Sequence, residues 1–410
     1  MPLQVRFIRA FGNNDELTPP ILYLSGGKTN DKVPLSSEKI TIEMDIMANV
    51  PPSLYVKFFH CNADWTETDN VFINSNFMRT SNINWTSAFS SSLYFSHRAS
   101  LEIPNSQIQF KHAGNWKAKF FDYDDDSLVA EAKFFVVKPR AATSIFLYTD
   151  LYDTKFKITR TSLSLEAVVQ STSMLNESQL KTVVFYNNNR WNEAIICSNS
   201  ILKDEFREKF RYKIPYVIGG FSSFGKRFRI EDLPAENQYR ILDLSNSAQF
   251  PRIKDPMRIP FSEAPRNGNS FYQDDNGYMV TSFISSSYDD YVYVEFALDP
   301  LNLRTKEDLF VVGSFNNWTP SKDWQMHYDD IQKMYLLKQW VRRARHNYLF
   351  ATGKLNYSTQ IVSNYSYDEF EGNTSYAAHT YFGMVYLRQI EDGGYDELIS
   401  IGAGNIFGLG

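Results

Sequence analysis

The chain has 410 residues, 22% of them charged, and a formal net charge of −5, so it lacks the strong positive charge of a nucleic-acid-binding surface. No apolar run approaches the roughly 20 residues that a membrane-spanning helix needs. Aromatic residues make up 16% of the sequence, which suits pleated sheets whose large side chains pack across strands. A chain of this length predicts roughly two to four domains, and the strand pattern favours three.

The first third of the chain predicts an N-terminal β-sandwich over residues 1–138. Apolar and polar residues alternate in short segments separated by turns, which is typical of half-buried strands. The predicted strands are 4–9, 39–44, 53–61, 93–103, 116–123 and 131–137. The acidic cluster at 122–127 lacks the Gly and the distal Glu of a calcium-binding loop, so we expect a solvated hairpin tip and no metal site there.

A middle β-sandwich is predicted over residues 139–245. Pro139 interrupts strand pairing at its start, and strands are expected at 162–169 and 180–186. Helix signals are scarce, and 204–210 is the best short candidate. Residues 246–290 predict an extended, proline-containing connection, because four prolines between positions 251 and 265 interrupt any regular pattern.

The remaining residues, 291–410, predict a third β-sandwich. Its expected strands are 291–296, 309–312, 333–337, 347–351 and 381–388. The basic run at 342–346 is short, so we interpret it as a solvated loop and not as a nucleic-acid-binding patch.

A turn directly after the 309–312 strand carries the first family resemblance. Gly313, Phe315, Asn316 and Trp318 form a Gly-x-Phe-Asn-x-Trp pattern that resembles the glycogen-binding and amylase-associated modules. This resemblance implies a C-terminal sandwich of the early-set type. The expected fold class is therefore all-β, with tandem immunoglobulin-like β-sandwich domains ending in an early-set-like sandwich.

Two further groups of residues resemble the plug proteins of the type IX secretion system. The C-terminal group matches that family's acidic-Gly-Asn turn, its strand ending in Tyr-x-Arg and its Tyr-Asp-x-Leu motif: Glu371, Gly372, Asn373, Tyr386, Arg388, Tyr395, Asp396 and Leu398. The second group matches segments of the first half: His60, Cys61, Asp64, Trp65, Pro104, Asn105, Gly114, Asn115, Arg190 and Trp191. We expect these signature residues, with those of the 313–318 turn, to be structural.

The resemblance implies a non-enzymatic protein that docks on the outer-membrane translocon barrel of a type IX secretion system and seals it. It implies a periplasmic location at the inner face of the outer membrane, and no cofactor, nucleic acid or small-molecule substrate. The first residues, 1–7, predict a strand and not the basic and apolar segments of a secretory signal. A cytoplasmic location therefore stays open.

An enzyme is not expected, because the sequence has no nucleophile elbow, no phosphate-binding glycine loop and no zinc-binding histidine pair. His60 and Cys61 are neighbours on a predicted strand and face opposite sides, which argues against a nucleophile and its base. Cys61 and Cys197 are expected to be buried thiols in different domains and not a disulfide.

The alternative function is glycan binding by a module of the glycogen-binding or early-set type. Trp318 and Trp324 flank the turn, and exposed indole rings could stack on sugars. That hypothesis requires at least one of the two rings to face solvent. A carbohydrate-active enzyme carrying such a module ranks last, since no second domain of catalytic size is evident.

Overall fold

The computed structural model describes residues 3–24, 37–74, 78–149, 161–171, 175, 177–198, 216–218, 225–259, 262–269, 273–301 and 304–406. It is 53% strand and 5% helix, which confirms the predicted all-β fold of tandem sandwiches. The short helix expected at 204–210 lies outside the described residues. No helix within the described ranges is both long enough and apolar enough to cross a membrane.

The first domain is a sandwich of two sheets. Its strands are β1 (Gln4–Gly12), β2 (Ile21–Tyr23), β3 (Ile40–Met47), β4 (Leu54–Cys61), β5 (Arg79–Thr80), β6 (Asn84–Ser87), β7 (His97–Ile103), β8 (Gly114–Asp122) and β9 (Leu128–Val137). One sheet has the order β1-β3-β7-β6 and the other β2-β9-β8-β4-β5. Alternate residues such as Ile42, Met44, Phe58 and Phe134 meet in the core between them. All six predicted strands are present, and the acidic cluster forms the β8–β9 hairpin tip.

The second domain combines middle strands with the last two strands of the chain. The middle strands are β10 (Ala141–Thr149), β11 (Ser162–Ser171), β12 (Leu180–Asn187), β13 (Ile195–Ser198), β14 (Tyr216–Ile218) and β15 (Lys226–Pro234). The last two, β24 (His379–Gln389) and β25 (Tyr395–Ile406), extend the sheet β13-β12-β24-β25, which faces β10-β11-β15-β14. The assignment of all of 291–410 to one sandwich was therefore wrong for this hairpin.

The sheet that contains β24 is buried on both faces, which explains the error. Val385 and Leu387 point into the core of the second domain, whereas Met384 and Tyr386 point toward the first domain. A strand with two buried faces reads as a continuous apolar run, and such a run does not reveal which sheet it joins. Gly402 allows β10 to approach closely, since a Cβ there would lie 2.7 Å from Thr143 O.

The third domain is formed by the residues between β15 and β24. Its elements are β16 (Arg240–Asp243), β17 (Met257–Arg258), β18 (Tyr291–Leu298), β19 (Asp308–Gly313), β20 (Gln325–Asp329), β21 (Met334–Arg342), β22 (Arg345–Asn356), β23 (Ile361–Ser366) and α1 (Asp368–Glu371). The strands form one sheet, β16-β22-β19-β20-β21-β18-β17, with β23 beside β22. Side chains from both ends of the sheet, among them Phe296 and Phe350, share one core.

The predicted connection at 246–290 is partly integrated into this third domain. Phe250 is 3% exposed and packs in its core, and β17 pairs with β18. The basic run at 342–346 is also not a solvated loop, because Arg342, Arg343 and His346 are buried. Arg343 donates a hydrogen bond to Leu244 O over 2.9 Å, so this charged run is accommodated by polar partners inside the fold.

Candidate functional site: the seams between domains

The first seam lies between the first and second domains and contains the largest set of signature residues. Trp65 Nε1 donates to the Tyr186 hydroxyl over 2.9 Å, and the Trp65 ring packs edge-on against Phe135 at 5.1 Å between centroids. Trp191 packs on Phe135 and Tyr186 from the second domain. Cys61 and Leu398 belong to the same apolar cluster. The two domains therefore share a core.

A buried polar network crosses the first seam. Asn115 Nδ2 donates to the backbone oxygens of Asn62 and Ala63 at 3.1 and 3.3 Å, and its Oδ1 accepts from the Tyr386 hydroxyl at 2.6 Å. Asp396 accepts from the Ala63 amide at 3.1 Å. The side chain of Asn115 thus has partners for both of its polar atoms, which specifies how the domains fit together.

Two more signature residues complete the edge of the first seam. Arg388 pairs with Asp396 at 3.1 Å on the surface. Asp64 accepts from the amide of Thr66 at 3.0 Å and shapes the turn that contains Trp65. These contacts are local, and they support the expectation that the residues maintain the seam.

His60 is a buried structural histidine of the first seam. Its ring lies edge-on to Trp116 and Tyr395, with centroids 5.3 and 5.4 Å away. Burial lowers the pKa of His60 to about 4, so the ring is neutral at physiological pH. A Cβ on Gly114 would lie 2.2 Å from His60 Nε2, and Gly114 has φ +146°, so only glycine fits beside this ring.

The cysteines are buried thiols in separate clusters. Cys61 lies in the first seam, and Cys197 lies in the core of the second domain. Burial raises the pKa of each thiol to about 12, which keeps both protonated. This geometry does not provide a thiolate nucleophile activated by His60.

The Gly-x-Phe-Asn-x-Trp turn is a structural turn of the third domain. Asn316 Oδ1 accepts from the Gly313 amide at 2.9 Å, and Asn316 Nδ2 donates to Val311 O at 3.0 Å. Trp318 is 1% exposed and donates to Gly277 O at 3.0 Å. Phe315 lies in the core.

This arrangement removes the main ring on which the glycan hypothesis relied for stacking on a sugar. The Trp318 ring is enclosed, and the half-buried Trp324 ring is stacked on Phe315 at 4.5 Å between centroids. One face of Trp324 is therefore already occupied. The same turn reaches another domain, because Asn317 donates to Ile8 O of β1 at 2.8 Å.

The second seam, between the first and third domains, is built around an ion-pair network that the sequence did not reveal. Arg342 contacts Glu43 at 3.2 Å and Asp289 at 3.1 Å. Arg98 pairs with Asp45 at 2.6 Å and also with Asp289. Arg98, Glu43 and Asp45 belong to the first domain and the others to the third, so each guanidinium bridges the two.

Neighbouring charges control the protonation of this network. Burial raises the pKa of Glu43, but the guanidinium groups of Arg9 and Arg342 outweigh burial and hold it at about 2. Asp289 behaves alike, since Arg342 and Arg98 overcome burial and depress its pKa. Both carboxylates are therefore ionised at physiological pH.

The acidic-Gly-Asn turn closes the third domain. Glu371 is fully buried and accepts from Arg240 at 3.0 Å, from Arg266 at 2.6 Å and from the Phe350 amide at 2.8 Å. Burial raises the pKa of Glu371, but the two arginines reverse that shift and lower it.

The two residues after Glu371 have different local roles. Gly372 has φ +67°, and a Cβ there would lie 2.2 Å from Gly268 N. Asn373 donates to Asp368 at 2.9 Å. In the first domain, Asn105 similarly organises the turn after Pro104 by accepting from the amides of Gln107 and Ile108.

The third seam joins the second and third domains around Arg190. This side chain is 2% exposed and pairs with Glu193 and Glu236, while its guanidinium lies over the Tyr367 ring at 4.8 Å. Tyr367 in turn donates to Glu193 at 2.6 Å. Across the part of the chain that the structure describes, no three His, Cys, Asp or Glu residues are grouped as metal ligands.

Comparison with known proteins identifies the first domain. Residues 19–138 match the family model of the Type 9 secretion system plug protein 1st domain. This segment is therefore similar to a type 9 secretion system plug domain. This match confirms the family resemblance that the sequence motifs indicated.

The whole chain also resembles a solved structure. A crystal structure of a hypothetical protein from Parabacteroides merdae ATCC 43184 matches with a TM-score of 0.76 and 18% sequence identity, over 98% of this chain and 97% of that one. At that identity the likeness concerns the fold alone. No curated protein sequence matches the chain significantly.

Proposed function

We propose that the chain is a non-enzymatic plug that docks on the outer-membrane translocon of a type IX secretion system and closes its periplasmic opening. The observation that carries the proposal is the match of residues 19–138 to the plug domain. The partner is the translocon barrel protein, and the site of action is the inner face of the outer membrane. No cofactor and no small-molecule substrate belong to this function.

The three seams support a plug because each domain contacts the other two. An apolar cluster joins the first and second domains, ion pairs join the first and third, and the Arg190 cluster joins the second and third. A body braced in this way loses little conformational entropy when it docks, which favours a stable seal. A gate made of loosely linked domains would have to order them upon binding.

Catalysis receives no comparable support from the signature residues. His60 is neutral and enclosed, and the Cys61 thiol is protonated. Tyr386 and Asn115 satisfy each other across the first seam. These side chains stabilise an assembly of domains and do not converge on a space where a substrate could react.

Purification and a permeability assay together test the proposal. The tagged full-length chain is isolated from a native Gram-negative host, and co-purified outer-membrane proteins are identified by mass spectrometry. In parallel, entry of a large hydrophilic dye is measured in a strain that lacks the chain. We expect recovery of the translocon barrel, and dye entry that is abolished by restoring the chain. Unchanged permeability together with no recovered translocon would refute the plug role.

A further inference from the structure

An acidic pocket of about 390 Å³ lies at the third seam. Its floor contains Arg190, Glu193 and Glu236. Arg190 pairs with both carboxylates, and burial, which lowers the pKa of Arg190, is outweighed by Glu236, so the guanidinium stays charged. One positive charge faces two negative charges, and the floor therefore retains a net negative charge.

The mouth of the pocket carries two further carboxylates. Asp232 and Asp368 line it and are both exposed. Among the described lining residues, Arg190 is the only lysine or arginine. The Tyr365 and Tyr381 rings belong to the walls, so the pocket combines carboxylates with aromatic surface. This combination favours organic cations through charge and ring quadrupoles.

A buried acceptor gives an independent reason to expect a donor ligand. Asn187 lines the pocket and is 5% exposed, and its Nδ2 donates to Glu236 at 3.3 Å. Its Oδ1 has no hydrogen-bond partner among the residues that the structure describes. Buried polar atoms in folded proteins are normally paired, so an orphaned acceptor beside a cavity indicates that a hydrogen-bond donor belongs there.

We propose that this pocket binds an alkylguanidinium or alkylammonium group. The cation lies beside the two glutamates that Arg190 pairs with and donates to Asn187 Oδ1, while its alkyl stem passes the tyrosine walls. The group can belong to an arginine or lysine side chain of a partner polypeptide, or to a free polyamine. This inference is independent of the plug role, because it is argued from the pocket alone.

Calorimetric titration of the full chain tests the chemistry with defined probes. N-acetyl-L-arginine methylamide represents a side chain in a polypeptide, putrescine represents a polyamine, and N-acetyl-L-citrulline methylamide is the neutral near-isostere. We expect at least one cation to bind, the citrulline probe to bind at least about tenfold more weakly, and added salt to weaken binding. Tighter binding of the arginine probe than of putrescine assigns the site to a polypeptide, and the reverse assigns it to a polyamine.

The double variant Asp232→Asn/Asp368→Asn tests the location. Asn tolerates the positive φ of Asp232, +63°, and retains an oxygen for the Asn373 contact of Asp368, so these two local features are retained. We expect its affinity for the cation to fall about fivefold, whereas Asp124→Asn at the distant hairpin tip leaves it unchanged. Equal binding of arginine and citrulline probes, no binding of either cation at about 10 mM, or an unaffected double variant would overturn the proposal. Translocon recovery by the double variant is scored separately, so failure of the pocket and failure of the plug role remain distinguishable.

Discussion

The hydrogen bond between Tyr386 and Asn115 offers a direct test of how tightly the first seam is built. Tyr386→Phe removes only the hydroxyl that donates to Asn115 Oδ1 at 2.6 Å. Tyr386 is 1% exposed and Asn115 is 0% exposed, so solvent cannot readily replace the lost donor. Leaving one buried acceptor unpaired costs about 1–3 kcal/mol of unfolding free energy.

This loss is large enough to measure by thermal and urea unfolding. For a cooperative unit of about 150–250 residues, 2 kcal/mol corresponds to a decrease of about 4–8 °C in Tm. The matched control is Tyr123→Phe, which removes the hydroxyl of a ring that is 65% exposed and should change stability by less than about 0.5 kcal/mol. If Tyr386→Phe were as stable as this control, the seam would be loose enough to rehydrate Asn115, and the argument for a rigid body would fail there.

Three further predictions concern the seams. Gly114→Ala should lower the free energy of unfolding in urea by more than about 2 kcal/mol, because the added Cβ would clash with His60. The control Gly394→Ala also has positive φ, but no atom lies within 3.4 Å of its Cβ, so it should cost less. Equal losses would refute the steric argument. The folded-state pKa of Glu43 is about 2, below its ordinary value of 4.5. The ionised carboxylate therefore contributes up to about 3 kcal/mol to the stability of the fold above pH 4.5, and this contribution should disappear as the pH falls toward 2. Urea midpoints across this range should show a smaller acid loss in Glu43→Gln, and identical profiles would contradict the linkage. Iodoacetamide should modify Cys61 much more slowly in the folded chain than in urea, as followed by mass spectrometry, since burial raises its pKa to about 12; rapid native labelling would show that the first seam opens.

The sequence was most informative where one face of a strand is buried. β7, for example, was located to within a few residues, because its buried and partly exposed residues alternate along its whole length. The short strands β2, β5 and β6 were missed, since two to four residues are too few to show a period. The partners that the signature residues contact in other domains were not visible in the sequence.

Two errors have a common physical cause. β24 was placed in the wrong sandwich because both of its faces are buried, and the run that contains Arg342 and Arg343 was read as solvated because it is charged. In each case the deciding interaction comes from a segment far away in sequence: β12 for the strand, and Glu43 for Arg342. The local sequence pattern indicates which environment a residue prefers, whereas contacts with residues of another domain determine whether it is buried there.

The return of β24 and β25 to the second domain has a mechanical consequence for the proposed plug. The third domain is inserted between β15 and β24, so both of its chain connections lead into the second domain. Two covalent connections restrict its rotation more than a single linker would, and the first domain then contacts it through Arg98 and Glu43. Weakening one seam therefore leaves each domain held by another seam or by the chain itself. A variant such as Tyr386→Phe should consequently lower the stability of the plug before it changes the shape that the translocon would meet.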